Sequence, residues 1–260
     1  MATRRRLDAE LVRRGLAGSR TDAQVSVAAG RVLVNGAVAD KPARLVAAGD
    51  AVVVQGPPAR FVGRGGEKLD AALEAFDVDV TGLAALDVGA STGGFTDCLL
   101  SRGARRVVAL DVGHGQLHPR IRADPRVVVL ERTNVRDATP HTIGGLADVV
   151  VVDVSFISLT VIIPVLVTLC QPGSSMVLLV KPQFEAGRVE VSRARGVITD
   201  PRVHQRVQGE VAAALEAAGC EVVAWTDSPI LGGEGNRELL VHARTGAGAI
   251  RVDIAGEGRT

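Results

Sequence analysis

Of the 30 basic residues in this 260-residue chain 27 are arginine, and only Lys41, Lys68 and Lys181 are lysine. Burial and neighbouring positive charge can turn an amine into a base, whereas a guanidinium stays protonated. A chain that favours arginine so strongly keeps lysine where that difference matters, so each of the three is a candidate for proton chemistry. Lys181 closes an apolar stretch at residues 175–181, and Asp153 closes another at 148–153. Charged groups that end successive strands face one edge of a parallel sheet, the edge at which such folds bind ligands.

A second constellation lies at residues 86–95, Leu-Asp-Val-Gly-Ala-Ser-Thr-Gly-Gly-Phe. It sets a hydrophobic strand, an acid (Asp87) and a turn of small residues (Gly89, Ala90, Ser91, Gly93, Gly94) directly before a helix that opens near Phe95. Glycine lets a ligand approach the backbone closely, and a helix N-terminus offers unpaired N–H groups. The turn is a cofactor loop. Its glycines do not have the G-x-G-x-x-G spacing of a dinucleotide fold, and no Gly-Lys-Ser/Thr follows for a triphosphate, which disfavours NAD and ATP. Asp111 ends the next strand, where a carboxylate accepts from both hydroxyls of a ribose. A ribose with no pyrophosphate suits S-adenosyl-L-methionine. Asn134 follows the third strand and either faces the adenine or stabilises a turn. His114 and His118 have i, i+4 spacing but no Cys or carboxylate beside them in sequence, so no metal site is expected.

Strands are expected at residues 83–88, 106–111, 127–130, 148–153, 175–181, 221–225 and 239–243, with helices between most of them, including 67–76, 95–101 and 201–218. Asp200 is the N-cap of the last, and Pro201 its first helical residue. Such alternation specifies an α/β fold, a mostly parallel sheet covered on both faces. Ahead of it, helical spacing over 7–15, a helix capped by Ser19 and running to about residue 29, a strand over 31–36 with an Asn-Gly turn, and a strand near 51–55 make a small α+β module. We assign residues 1–56 to this module, 57–64 to a Pro-stiffened linker, 65–245 to the large domain and 246–260 to a tail. Residues 1–60 hold 10 basic and 5 acidic groups and the remainder 20 and 24, so the front module is suited to a polyanion.

Several segments resemble the TlyA family of rRNA cytidine 2′-O-methyltransferases, some of which carry the name haemolysin. They are Gly-Ala-Ser-Thr-Gly-Gly-Phe-Thr (89–96), Asp-Val-Gly-His-Gly-Gln-Leu (111–117), Glu-Arg-Thr-Asn (131–134), Asp-Val-Ser-Phe-Ile-Ser-Leu (153–159), Lys-Pro-Gln-Phe-Glu (181–185) and Gly-Asn-Arg-Glu (235–238). The resemblance covers nearly the whole chain. It implies an S4-like RNA-binding domain in front and an FtsJ-like catalytic domain behind, built on a Rossmann-type sheet of seven strands, mostly parallel, with the last antiparallel. The family's Lys-Asp-Lys-Glu constellation maps onto Lys68, Asp153, Lys181 and Glu238. Removing the proton of a ribose 2′-hydroxyl falls to Lys181, oriented by Asp153; Lys68 would hold the substrate oxygen, fixed by Glu238. Phe156 could stack on a cytosine swung out of its helix, or pack in the core. For RNA contact the candidates are Arg4, Arg5, Arg6, Arg13, Arg14, Arg20 and Lys41, with Arg60 and Arg64 near the linker and Arg188, Arg193 and Arg195 as a second basic group. Aromatic residues are only 2% and tyrosine is absent, so recognition should rest on RNA shape and phosphate rather than on a stacking platform. The linker departs from the family, in which an aromatic follows Arg-Ala; here the order is Ala59-Arg60-Phe61-Val62.

Composition narrows the alternatives. Hydrophobic residues are 47% and charged residues 23%, which excludes a mostly disordered chain. The longest apolar run, residues 157–170, is interrupted by Ser158, Thr160, Pro164 and Thr168 and is too short to span a bilayer. No signal-peptide pattern is seen at the start, so a cytoplasmic protein is expected. Cys98, Cys170 and Cys220 read as buried free thiols. A membrane-active haemolysin and a ribosome-binding protein without catalysis are the competing functions, with a small-molecule methyltransferase a third. The expected partner is ribosomal RNA within the ribosomal subunits, without an obligate protein partner.

Overall fold

A computed structural model describes residues 4–18, 20–56, 60–232 and 235–246, with the Thr21 and Arg188 side chains excepted. The Ser19 cap, linker residues 57–59, the Arg188 side chain and residues 247–260 of the expected tail lie outside the described residues. The chain divides into two compact units between Gly63 and Arg64.

In the first unit β1 (Arg5–Arg6) leads into α1 (Leu7–Arg13), followed by α2 (Arg20–Ala28), β2 (Val32–Val34), β3 (Ala37–Val38), β4 (Leu45–Val46) and β5 (Val52–Val54). Strand β1 pairs antiparallel with β4, and β2 lies between β3 and β5. Leu7 and Leu11 from α1 and Ala23 and Val27 from α2 bury against Val32, Val34, Ala39, Val46 and Val52, so one apolar stripe per helix packs on the strands to make the core. The two-residue strands β1, β3 and β4 are too short to leave a period-two pattern and were not among the sequence-based expectations.

The second unit contains α3 (Gly65–Ala75), β6 (Ala84–Val88), α4 (Gly94–Ser101), β7 (Arg106–Leu110), α5 (Pro119–Arg122), β8 (Val127–Leu130), α6 (Pro140–Ile143), β9 (Ala147–Val152), α7 (Leu159–Thr168), β10 (Cys170–Val180), α8 (Pro182–Glu185), α9 (Arg188–Arg193), α10 (Pro201–Ala217), β11 (Cys220–Asp227) and β12 (Leu239–Thr245). Among the described residues these strands form one seven-stranded sheet in the order β11-β12-β10-β9-β6-β7-β8. The pairs β10–β9, β9–β6, β6–β7 and β7–β8 are parallel, while β12 runs antiparallel to both β10 and β11. All five residues of β6 are buried, as a strand covered on both faces requires.

The chain passes outward from β6 to β8 and then crosses back to β9 on the other side of β6. The strand order reverses between β6 and β9, and a crevice opens outside their C-terminal ends. Strand β10 begins five residues before the expected boundary, and its pairing with β9 is irregular between Cys170 and Ser175. The long apolar run becomes the buried helix α7, capped by Ser158, whose Oγ accepts from the Thr160 N–H. Asp200 caps α10 by accepting from the Arg202 N–H, with Pro201 opening the helix as expected. The three cysteines are buried and free, and burial pushes the Cys170 thiol up to about 12.

Candidate active site

The turn after β6 approaches its neighbours closely. A Cβ on Gly89 would collide with the carbonyl oxygen of Asp153, and Gly89 has φ 85°, so glycine is required there on two counts. Gly93 precedes α4 with φ 95°, and between them Ser91 is held at φ 48°, a conformation uncommon for a residue with a side chain. The turn is pinned from the next strand: the Gly89 N–H donates to the Leu110 carbonyl at 2.8 Å, and the Ser91 N–H to Asp111 Oδ2 at 2.8 Å. Asp111 also accepts from the Gly113 N–H at 2.6 Å.

A cavity of about 190 Å³ opens against this turn, lined by Gly89, Ala90, Ser91, Thr92, Gly94 and Phe95 on one side and by Arg64, Gly65, Lys68 and Asp153 on the other. A smaller recess beside it is bounded by Ala90, Ser91, Asp111, Gly113, Gln116 and Glu131. The two concavities share Ala90 and Ser91, so they lie end to end across the tips of β6 and β7.

Two of the four charged residues singled out in the sequence line the larger cavity, and the other two are their partners. Lys68, on the first turns of α3, pairs with Glu238, which stands just before β12; both side chains are almost fully enclosed. Gly232 makes room for this pair, since a Cβ there would collide with Glu238. Lys181 Nζ lies 2.6 Å from Asp153 Oδ1 and donates to Ser155 Oγ at 3.0 Å. The Lys181 side chain is 11% exposed and so does not trail into bulk solvent.

Three further contacts tie the segment after β9 to the segment after β10. Glu185 accepts from Ser158 Oγ at 2.5 Å and from the Leu159 N–H at 2.9 Å, and burial holds its carboxyl above the usual range. Phe156 leans on Phe184, with ring centroids 5.0 Å apart, and Lys181 Nζ sits 5.8 Å from the Phe184 centroid. Phe156 is 91% exposed and has φ 65°. An apolar ring left largely in solvent on a strained backbone adds nothing to the core, and such outliers cluster at functional sites. Ser155, Ser158, Phe184 and Glu185 were not singled out from sequence as site residues; each lies in a motif that was quoted, but their roles depend on contacts made across the sheet edge.

Three candidate cofactor residues sit apart from the cavity linings: Gly93, whose Cα faces Leu117 and Ile121, Asp87 and Asn134. Asp87 is fully buried beneath the turn, where its Oδ2 accepts from Thr96 Oγ1 at 2.6 Å while Oδ1 has no hydrogen-bond partner among the described residues. Desolvation, with smaller contributions from Asp153 and Asp111, pushes the Asp87 carboxyl up to about 7, against the Thr96 bond. Asn134 caps the 3₁₀ turn Val135–Asp137 through its Oδ1, which accepts from the Arg136 N–H at 3.0 Å; of its two expected roles the structure displays the turn-stabilising one. His114 Nδ1 has a carboxylate neighbour after all, Glu131 at 3.0 Å, which sequence adjacency did not reveal. Among the described residues no group of three or more His, Cys, Asp or Glu is placed to hold a metal ion.

The basic candidates of the first unit divide by what their guanidinium groups already hold. Arg14 is turned inward: it donates to Glu10 Oε1 at 2.7 Å and to the carbonyls of Asp50, Ala47 and Ala48, and so cross-links the unit. Arg13 also pairs with Glu10 but is half-exposed, as is Arg5, 3.9 Å from the same carboxylate. Arg6 and Arg20 share Asp8. Arg4, Lys41 and Arg60 are exposed, Arg60 lying 4.8 Å over the Phe61 ring, and in the second unit Arg64 reaches the cavity rim.

The sequence profile of the FtsJ-like methyltransferase family matches residues 61–245, and that of the S4 domain matches residues 5–52. Over 246 residues the chain is 50% identical to the 16S/23S rRNA (cytidine-2′-O)-methyltransferase TlyA of Mycobacterium tuberculosis, an alignment covering 94% of this chain and 91% of that one. Among solved structures it is similar to a hemolysin-named protein from Streptococcus thermophilus, with 39% identity and a TM-score of 0.75 over 95% of this chain and 90% of that one. An S-adenosylmethionine-dependent methyltransferase from Listeria monocytogenes shares the fold alone, at 15% identity and a TM-score of 0.51 over 70% of this chain and 99% of that one.

Proposed function

The chain belongs to the FtsJ-like methyltransferase family, and on that premise we propose that it transfers the methyl group of S-adenosyl-L-methionine to the ribose 2′-hydroxyl of a cytidine in ribosomal RNA. The observation that carries this reading is the meeting of two lysine–carboxylate pairs, Lys68–Glu238 and Lys181–Asp153, at one cavity under the glycine turn.

The residues present fit the methyl donor. Asp111 at the tip of β7 stands where ribose hydroxyls are held, and the backbone of residues 89–92 leaves room for close approach. When bound, S-adenosyl-L-methionine supplies an electrophilic methyl carbon. Everything else is done by the chain. The incoming hydroxyl is positioned by Lys68, whose amine Glu238 fixes in place. Its proton passes to Lys181 Nζ, which can yield one of its own protons to Asp153 Oδ1 at 2.6 Å and so present a lone pair. Ser155 Oγ keeps the amine aimed while its charge changes.

Residues 1–56 serve as the RNA-holding domain and residues 65–245 as the catalytic one, acting on ribosomal subunits in the cytoplasm. The name hemolysin also attaches to a Brachyspira hyodysenteriae relative of this chain. Among the described residues no helix is long and apolar enough to cross a membrane.

Incubating the protein with methyl-labelled S-adenosyl-L-methionine and purified 30S or 50S subunits, then digesting the RNA to nucleosides, tests the assignment. Label in 2′-O-methylcytidine is expected. Label on a base, or none in either subunit, overturns it. Reverse-transcription stops on rRNA from cells with and without the gene then locate the nucleotide.

A further inference from the structure

Unit 1 contains a carboxylate that is wholly enclosed while the cations around it stand half in water. Asp8, in the first turn of α1, is 0% exposed. Its Oδ1 accepts from Arg6 Nε at 3.1 Å and from the Ala9 N–H at 2.8 Å; its Oδ2 accepts from Arg6 Nη2 at 2.9 Å, Arg20 Nη2 at 3.0 Å and Gln24 Nε2 at 3.1 Å. Five donors saturate one carboxylate, which is what an enclosed anion requires. The Arg6 and Arg20 side chains are 48% and 58% exposed.

Because both Nη2 atoms bond the same oxygen, they lie within about 6 Å of one another, held there by the Asp8 carboxylate between them. Each guanidinium carries five N–H donors in a rigid fork, and Asp8 takes two from Arg6 and one from Arg20. Neither fork is used up, and together the three groups retain one positive charge. Here the acid is beneath and the cations are above it.

We propose that Asp8 is a positioning residue that builds, from Arg6 and Arg20, a two-guanidinium site for one RNA phosphodiester. The inference rests on the reading of this protein as an RNA-modifying enzyme, and it adds an acid to an interface that charge counting assigns to bases alone. Arg20 anchors from α2 and Arg6 from β1, so the site also fixes the relative position of those two elements.

The two accounts of Asp8 predict opposite signs. If Asp8 only offsets charge, Asp8→Asn leaves the surface more positive and RNA binds more tightly. If Asp8 builds the site, the same substitution weakens binding by about tenfold, because the forks lose the geometry of charge-assisted bonding. Binding of the full chain to purified 30S and 50S subunits, measured across a salt series, reads this directly; losing one phosphate contact also lowers the salt slope by about one. The loss falls on KM for the subunits rather than on kcat. Arg20→Lys keeps the charge and removes the fork, so it decides the matter if Asp8→Asn does not fold, and it too should weaken binding and lower the slope. Unchanged or tighter binding in folded Asp8→Asn, or wild-type binding in Arg20→Lys, overturns the proposal. Binding is read without catalysis, so a chain that binds subunits through this site yet methylates neither would refute the enzymatic reading and leave the phosphate site standing.

Discussion

Replacing Asp87 by Asn isolates the energetic cost of an acid sealed under the cofactor turn. In the folded chain its carboxyl titrates at about 7, against an ordinary value of 3.8. A folded value above the unfolded one means that the native state holds the proton more tightly. The associated stability is complete below about pH 4 and is lost as pH rises through about 7. Between pH 5 and 7 the unfolded chain is almost fully ionised at this position while the folded chain passes from protonated to half-ionised. Each pH unit is worth up to about 1.4 kcal/mol, so the wild-type protein should lose about 2 kcal/mol over that interval from this group alone. Asn keeps an oxygen for the Thr96 hydroxyl and has no proton to lose. Groups remote from Asp87 titrate alike in both proteins and cancel in the difference. Urea unfolding of wild type and Asp87→Asn at about pH 5, 6 and 7 should therefore give curves that diverge, the variant losing less stability as pH rises. Its amide nitrogen takes a place where Oδ1 has no hydrogen-bond partner, so it can be less stable at every pH; the slope carries the test. Parallel profiles, agreeing within about 0.5 kcal/mol over the whole range, would refute the argument that burial governs this acid.

Lys181→Ala should abolish methyl transfer while leaving S-adenosyl-L-methionine binding, read by calorimetry, within a few-fold of wild type; near-normal turnover would remove the amine from the mechanism. Glu238→Gln leaves Lys68 enclosed without its anion and should cost about 3–5 kcal/mol, whereas the paired change Lys68→Met with Glu238→Leu should recover most of that stability and none of the activity, as urea titration and label transfer would show. Arg14→Ala should lower the melting temperature of the first unit by about 5 °C through loss of its bonds to Glu10 and three carbonyls, while Arg4→Ala should leave it unchanged; equal effects would mean that Arg14 is not a cross-link.

What could be read from the chain before its structure follows from how far each signal reaches. The glycine turn and the strand-end positions of Asp153 and Lys181 were legible because a buried parallel strand is a continuous apolar run whose last residue is placed by the sheet. Asp87 was legible as the acid before the turn, but not as one sealed away from the cavity: that depends on α4 closing over β6. Arg13 and Arg14 look alike in sequence, yet adjacent helical residues point about 100° apart, and only the strands beneath α1 decide which meets the carbonyls of residues 47–50. Asn134 carried two expectations of equal standing, since an amide before a turn serves either as a cap or as a ligand. The links from Ser155 and Glu185 across the sheet edge had no local signature at all. Each joins segments whose separation in sequence is spanned by α7 and β10.

The two lysine–carboxylate pairs differ in a way that assigns their work. Lys68 and Glu238 are 8% and 3% exposed, so a proton lost from or gained by the pair would leave one charge unpartnered and sealed from water. That pair is suited to staying charged and holding an oxygen in place. Lys181 and Asp153 are 11% and 21% exposed, with Asp153 on the cavity wall. A group that takes a proton in every turnover must return it to solvent before the next, and the carboxylate of this pair has the greater access to water. In the mechanism proposed above, proton transfer therefore falls to the pair that can be reset, and Lys68 stays with the pair that cannot.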